Sequence, residues 1–374
     1  MIRRFYVHNF RCLENFELPI AGLQSALLIG KNGSGKTAVG LALEILQSIA
    51  RGTNRVGDLV KPKDFSRGRL DVPMRFEIEV VLGPKVYAYT IAFELPKGGK
   101  ELRVLEEKLE VDGETVYARQ GAEVHLVMRH IPSTGLRLAV DGKFPIDQSL
   151  VALPIIQTPF KDDALVVFKQ WLAHIVVLRP MPGLILGDDS TEETLEPNPR
   201  VTNFGRWFLG VLAQTPAAYS KIEEYLTQIM PDFRDIVRPA QLGDLIVRFS
   251  NEQGSMAIHF EDLSDGEKCF MICALVLAAN DAYGPLFCFW DEPDNYLALD
   301  EVGHFVLALR RGFHSGGQFI ATSHNPEAIR RFSDENTLVL QRRSHLEPTV
   351  VRRLSELQVS GDLVGAMIRG DLGA

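Results

Sequence analysis

The hydrophobic pattern changes period along the chain. Residues 25–29 (Ser-Ala-Leu-Leu-Ile) form a short apolar run, which predicts a buried strand. A glycine-rich stretch follows. Val39, Leu43, Leu46 and Ile49 then recur at helical spacing, the stripe of a helix packed on one face. From Phe76 to Ala118 the period becomes two: Phe76, Ile78 and Val80 alternate, Gly83-Pro84 turns the chain, and Tyr87, Tyr89, Ile91 and Phe93 alternate again. Asp112-Gly113 lies between two further alternating runs and signals a hairpin. The pattern predicts an antiparallel sheet inserted after the first helix.

Residues 162–174 read as a helix, and Ile175 to Leu178 as a short strand ended by Pro180. The acidic stretch 187–199, with Pro197 and Pro199, reads as an exposed loop, and 202–229 as two helices broken near Pro216. Cys269 to Ala279 is an apolar helix, and Leu286 to Trp290 an uninterrupted apolar strand of the kind found inside parallel sheets. No fixed-period repeat is present, and no sustained heptads separate Lys36 from Ser264, so no long coiled-coil arm is expected.

A chain of 374 residues implies two to three structural units. With 46% hydrophobic and 24% charged residues it reads as globular rather than disordered. No apolar run reaches the roughly 18 residues of a transmembrane helix, and Met1 to Phe10 lacks a secretory apolar core. No membrane partner and a cytoplasmic location are expected. A net charge of -8 excludes a protein that coats nucleic acid with its whole surface. Cys12, Cys269, Cys273 and Cys288 form no C-x-x-C pair and read as buried thiols.

Four segments carry candidate chemistry. Gly30-Lys31-Asn32-Gly33-Ser34-Gly35-Lys36-Thr37 matches G-x-x-x-x-G-K-[ST] between a strand and a helix. Its glycines let backbone wrap phosphate, Lys36 would reach the β- and γ-phosphates, and the Thr37 hydroxyl would bind Mg²⁺. Asp291 and Glu292 end the apolar strand; Asp291 would hold Mg²⁺ and Glu292 would act as general base. Ser264 and Glu267 frame a helix start, and this S-x-x-E pattern is equally an ordinary capping box. His324 ends the run Gln318-Phe-Ile-Ala-Thr-Ser, where a lone histidine is more often an ordinary polar residue than a catalytic one.

Together these segments resemble the ABC-type ATPases, in the branch that includes the chromosome-maintenance, RecF-like and overcoming-lysogenization-defect (OLD) proteins. Gly30–Thr37 resembles Walker A and Phe289–Glu292 resembles Walker B. Leu263–Glu267 resembles the LSGGQ signature with Asp265 in place of a glycine, and Leu297–Asp300 the D-loop. His324 resembles the switch histidine, and Asn9-Phe10-Arg11 the N-F-R opening of the branch.

The resemblance implies an α/β P-loop core of ABC-ATPase type with an inserted antiparallel sheet and a helical lobe. It implies a discontinuous ATPase lobe at 1–100 and 280–374, and a variable and signature lobe at 101–279. It implies ATP and Mg²⁺ as ligands and hydrolysis by Glu292, His324 and Lys36. ATP would be held by Arg11, Asn32, Gly33, Ser34, Gly35, Lys36 and Thr37, and Mg²⁺ by Thr37 and Asp291. Ser264, Asp265, Gly266 and Glu267 would reach the ATP of a second protomer, with Asp300 in the D-loop. The expected partners are a second copy and a separate nuclease or toxin. About 50 residues follow His324, too few for the Toprim nuclease domain of OLD nucleases. Residues 101–240 match no named segment, and the Q-loop glutamine has only Gln157 as a candidate.

DNA is a further possible partner. Residues 51–69 carry Arg51, Arg55, Lys61, Lys63, Arg67 and Arg69 against Asp58 and Asp64, a local excess of positive charge that equally suits a solvated face. The competing functions are a RecF-like repair clamp, a transporter's nucleotide-binding subunit and an ATP-gated scaffold that holds an effector inactive.

Overall fold

The computed structural model describes residues 1–130, 138–158, 160, 162–187, 192–238 and 243–357. The amino-terminal part runs β1 (Ile2–His8), β2 (Phe16–Glu17), β3 (Ser25–Ile29), α1 (Lys36–Ala50), α2 (Val56–Leu59), β4 (Met74–Leu82), β5 (Lys85–Glu94), β6 (Arg103–Val111), β7 (Glu114–Gln120), β8 (Glu123–His130), β9 (Leu138–Pro145) and α3 (Ala164–His174). It continues through β10 (Val176–Leu178), α4 (Phe204–Gln214), α5 (Ala218–Ile229), β11 (Phe233–Val237), β12 (Ile246–Asn251), β13 (Gly254–His259) and α6 (Asp265–Tyr283). It closes with β14 (Phe287–Trp290), α7 (Leu299–His314), β15 (Gln318–Thr322), α8 (Pro326–Arg330), β16 (Thr337–Gln341) and β17 (Val350–Arg353). The described residues form two compact units: those within Met1–Leu23, Ile29–Ile175 and from Leu338 to Leu357 form the first; those within Gln24–Leu28 and Val176–Thr337 form the second.

The first unit is built on an antiparallel sheet of order β2-β1-β4-β5-β6-β7-β8-β9. The period-two pattern becomes its burial pattern: Met74, Phe76, Ile78 and Val80 point inward from β4, and Tyr87, Tyr89, Ile91 and Phe93 from β5. Asp112 and Gly113 both take positive φ (51° and 81°), the geometry that a tight turn between twisted strands requires. The sheet is wider than the alternation predicted. β1 pairs with β4 through Phe5↔Ile78 and Val7↔Phe76, and β8 and β9 extend the far edge to residue 145. Helix α3 follows the sheet, and the first unit continues to Ile175.

A buried polar cluster locks this sheet to the segment after it. The Glu107 carboxylate on β6 is fully buried and accepts from the Tyr89 hydroxyl (3.1 Å), the Tyr117 hydroxyl (2.8 Å) and the amides of Ala152 (2.7 Å) and Leu153 (2.8 Å). The buried Arg119 guanidinium lies 4.0 Å away and donates to the carbonyls of Gly121, Leu150 and Asp147. The segment so held runs on to Gln157, which is exposed, and to α3, whose start is capped by the Asp163 carboxylate. Gln47 and Arg51 of α1 donate to the carbonyls of Ile175 and Ala173, fixing the first helix against the end of α3.

In the second unit, β10, β14, β15 and the Ser25–Leu28 part of β3 lie side by side and parallel, in that order. Every residue of β14 is buried, as its uninterrupted apolar run predicted. The two helices expected over 202–229 are α4 and α5, separated at Thr215 to Ala217. Within the acidic 187–199 stretch, residues 188–191 lie outside the described residues. Strands β11, β12 and β13 form a small antiparallel sheet that the hydrophobic pattern did not reveal.

The four cysteines are free and buried, and burial pushes the Cys269 thiol up to about 12, so it stays a thiol at neutral pH. Among the described residues no helix is long and apolar enough to cross a membrane.

Candidate active site

The glycine loop leaves the carboxyl end of β3 and ends in α1, which starts at Lys36. Gly35 is the N-cap residue with φ 105°, and a Cβ there would lie 2.8 Å from Thr349 Oγ1 and 2.9 Å from Cys12 Sγ. Only glycine fits, in conformation and in space. Thr349 supports the loop from behind: its hydroxyl donates to the Ser34 carbonyl (2.8 Å) and its amide to the Cys12 carbonyl (2.8 Å).

Because the cap residue has no side chain, the first-turn amides of α1 carry no side-chain cap, which leaves a partial positive charge at the loop. Lys36 is nearly buried and its ammonium donates to the Gly30 carbonyl at 3.0 Å, across the loop. Ser34 Oγ is buried with no hydrogen-bond partner among the described residues. An orphaned hydroxyl, an inward ammonium and an uncapped helix start fit a phosphate group. Asn32, Gly33 and Thr37 are exposed along the same loop and first turn.

Asn9-Phe10-Arg11 turns out to organise the basic stretch. Buried Asn9 donates through Nδ2 to the carbonyls of Arg69 (3.0 Å) and Val72 (2.6 Å). Arg11 pairs with Asp64 at 3.3 Å. Glu14 accepts from Ser66 Oγ (2.6 Å), Arg67 (2.6 Å) and Arg69 (3.0 Å). Burial opposes ionisation of Glu14, but the Ser66 and Arg67 bonds and the charges of Arg67 and Arg69 outweigh it and hold its pKa below the usual value. Three of the cations near this loop are thus paired within the protein.

The second unit assembles a different cluster. Parallel register (Trp290↔Ala321, Thr322↔Leu28) brings the carboxyl ends of β14, β15 and β3 to one edge, where ligand chemistry sits in open α/β sheets. The Thr322 hydroxyl donates to Asp291 Oδ1 (2.6 Å) and accepts from the Glu292 amide (2.9 Å). Glu292 holds φ 51°, a left-handed conformation that costs a non-glycine residue about 1–2 kcal/mol. Its Oε1 lies 3.4 Å from His324 Nε2, and its Oε2 accepts from Asn295 Nδ2 at 2.6 Å. Two residues after Glu292, buried Asp294 accepts from Ser323 Oγ at 2.6 Å, and burial raises the Asp294 pKa.

The signature segment behaves as a capping box. Ser264 Oγ accepts from the Glu267 amide, and Glu267 Oε2 accepts from the Ser264 amide (2.8 Å) and hydroxyl (2.7 Å). Ser264, Asp265 and Glu267 face or border solvent at the start of α6. Gly266 lies close beneath the Tyr296 carbonyl, 3.1 Å from where a Cβ would be, so the signature turn backs directly onto the segment before α7. Asp300 lies exposed in the first turn of α7 beside Leu299, which is 69% exposed.

Of the residues singled out from sequence, Asp291, Glu292 and His324 meet in one cluster of the second unit, which also carries Ser264–Glu267 and Asp300. Arg11 and Asn32–Thr37 belong to the first. Sequence reasoning gave no site role to Thr322, Ser323, Asp294 and Asn295. The polar ends of two apolar strands were their available signal. Thr37 and Asp291 are hard oxygen donors of the kind Mg²⁺ takes.

Residues 1–95 match the model of the AAA ATPase domain. One stretch of 129 residues is 28% identical to the chromosome partition protein Smc of Chlorobaculum tepidum, covering 30% of this chain and 11% of that protein. Another of 46 residues is 41% identical to the OLD nuclease of Thermus scotoductus, covering 12% of this chain and 8% of that protein. The matched segments therefore span about a tenth of those relatives. Among solved structures, an Smc head bound to the C-winged helix domain of ScpA aligns with a TM-score of 0.54 at 15% identity, over 95% of this chain and 99% of that one. The fold is that of an Smc head, the ABC-type P-loop architecture, and residues 1–95 are similar to an AAA ATPase domain. The resemblance to the chromosome-maintenance and OLD-like branch holds at that level.

Proposed function

We propose that this protein binds ATP at Gly30–Thr37 and hydrolyses it, with Glu292 as general base. The observation that carries the reading is the strand-end cluster of Asp291, Glu292, Thr322 and His324, a carboxylate pair oriented by a hydroxyl and an imidazole. Lys36 and the α1 amides hold the triphosphate. Glu292 takes the proton of the attacking water while the bond from the γ-phosphorus to the ADP oxygen breaks, and His324 orients the Glu292 carboxylate. Mg²⁺, held by Thr37 and Asp291, would offset phosphate charge. Arg11, with its guanidinium over the Phe10 ring at 5.6 Å, is assigned to the nucleotide on the resemblance.

In the same reading two copies close head to tail around ATP. Ser264, Asp265, Gly266 and Glu267 of one meet the γ-phosphate of the other, and Asp300 lies at the seam. The protein then acts in the cytoplasm on DNA, or controls a separate nuclease or toxin in DNA maintenance or phage defence. The binding of a ScpA domain by an Smc head of this fold supports a protein partner. A second reading, an ATP-gated scaffold with little turnover, draws on the Asn295 bond: a carboxylate bonded at both oxygens is a poorer base.

Nucleotide binding and turnover of two variants test this function. Lys36→Ala should lose ATP binding. Glu292→Gln should bind ATP as wild type does, turn over about 10²–10⁴-fold more slowly and accumulate as an ATP-bound dimer. Unchanged affinity in Lys36→Ala removes the phosphate assignment, and wild-type turnover in Glu292→Gln removes the base.

A further inference from the structure

The contact that aligns His324 with Glu292 is weak on its own terms. The two side chains are 3.4 Å apart, and each is about a third exposed (38% and 34%), so solvent competes for both. β15 ends at Thr322, and sheet pairing no longer fixes the chain where the histidine emerges. What fixes it is Ser323. Its amide donates to the Leu28 carbonyl (3.2 Å). Its hydroxyl donates to Asp294 Oδ2 (2.6 Å) and accepts from the Asn325 amide (2.9 Å). These bonds bracket His324 on both sides. Asn325 in turn caps α8 through the Glu327 amide (2.9 Å).

Asp294 supplies the fixed end. It is 4% exposed, two residues after Glu292 in the turn that carries the general base. A buried carboxylate near the charge of Glu292 is an expensive choice if the only requirement is to fill space; a neutral side chain would avoid the desolvation and the like charge. Its bond to Ser323 joins the Glu292 turn to the His324 backbone, as the bond between Thr322 and Asp291 joins the same two strand ends one residue earlier on β15. The two strand ends are thereby interlocked residue by residue: 291 with 322, 294 with 323, 292 with 324.

Resting on the hydrolytic reading above, we propose that Asp294 and Ser323 are positioning residues for ATP hydrolysis: their buried hydrogen bond sets the backbone from which His324 reaches Glu292. Neither touches the reacting atoms, so their effect passes through the histidine.

The test compares steady-state ATP hydrolysis by the full chain in four variants. Ser323→Ala should lower kcat about 10–100-fold, the scale of a small misplacement at a reacting group, and change KM by less than about threefold. Ser323→Thr, which keeps the hydroxyl, should recover kcat to within about threefold of wild type. Asp294→Asn should lower kcat, and adding Ser323→Ala to it should cost little more, because one bond has already been weakened. The decisive arm is the His324→Ala background: there Ser323→Ala should have no further effect on kcat, whereas a purely structural role predicts the same loss as before. An undiminished loss in that background, or wild-type kcat in Ser323→Ala, overturns the positioning role and leaves the hydrolytic reading intact. A wild-type protein that binds ATP and never turns it over overturns the hydrolytic reading and this inference with it.

Discussion

Replacing Glu107 by alanine takes a carboxylate out of a site that exposes none of its surface. Four donors then lose their acceptor: the hydroxyls of Tyr89 and Tyr117 and the amides of Ala152 and Leu153. A hydrogen bond to a charged group contributes about 1.5–3 kcal/mol net, so four independent bonds would sum to about 6–12 kcal/mol. They are not independent, and the buried charge carries a desolvation penalty that the truncation relieves. Breaking one side of a buried ionic cluster typically costs about 3–5 kcal/mol, and that is the expected loss for the first unit. Glu107→Gln keeps the shape and one acceptor oxygen but turns an amide group toward an N–H, and should cost about 1–3 kcal/mol.

Urea unfolding gives the global value. Hydrogen exchange of the Ala152 and Leu153 amides gives the local one, and these two should lose protection first. Burial raises the Glu107 pKa above its ordinary value, against the amide and Tyr117 bonds and the Arg119 charge. A carboxyl with a raised folded-state pKa keeps its proton longer in the folded chain. The proton-linked part of its contribution to stability is therefore full below the ordinary glutamate value and declines as pH rises through the folded value, while the four accepted bonds remain. That slope should be absent from both variants. A loss under about 1 kcal/mol for Glu107→Ala, with unchanged exchange at 152 and 153, would refute the view that this carboxylate anchors the segment.

Ser264→Arg should block ATP-dependent dimerisation and hydrolysis together while leaving ATP binding intact, and it should also lose an N-cap contribution of about 0.5–2 kcal/mol. Ser264→Asp, which keeps a capping oxygen, separates the two effects, and turnover at the wild-type rate in Ser264→Arg would reduce the segment to a capped helix. For the basic stretch, filter binding of DNA across a salt series should show a log–log slope of about -0.9 per phosphate neutralised. With Arg67 and Arg69 tied to Glu14, Lys61→Glu with Lys63→Glu should weaken binding more than Arg67→Glu with Arg69→Glu, and no binding at low salt ends the DNA role of this loop.

Local chemistry needs only neighbours in sequence, and there the chain was legible. Gly30–Thr37 carries its glycines, lysine and hydroxyl on one turn, and the strand before and helix after it follow from the apolar pattern. Alternation from Phe76 to Ala118 placed the central strands, because a sheet with one buried face repeats every two residues whatever it packs against. Ser264 and Glu267 announced their cap for the same reason: three residues of helix suffice to bring them together.

Contacts set by register and packing were beyond that reach. β1 pairs with β4 across more than sixty residues of intervening chain, and nothing in Ile2–His8 names its neighbour. Thr349 supports the Ser34 carbonyl from 315 residues away. The excess charge of 51–69 looked free until the fold brought Glu14 under Arg67 and Arg69. Thr322, Ser323, Asp294 and Asn295 meet their partners only because parallel register lays the ends of β14 and β15 at one edge. A hydroxyl or carboxylate at a strand end acquires a function from what faces it, and tertiary structure alone decides that.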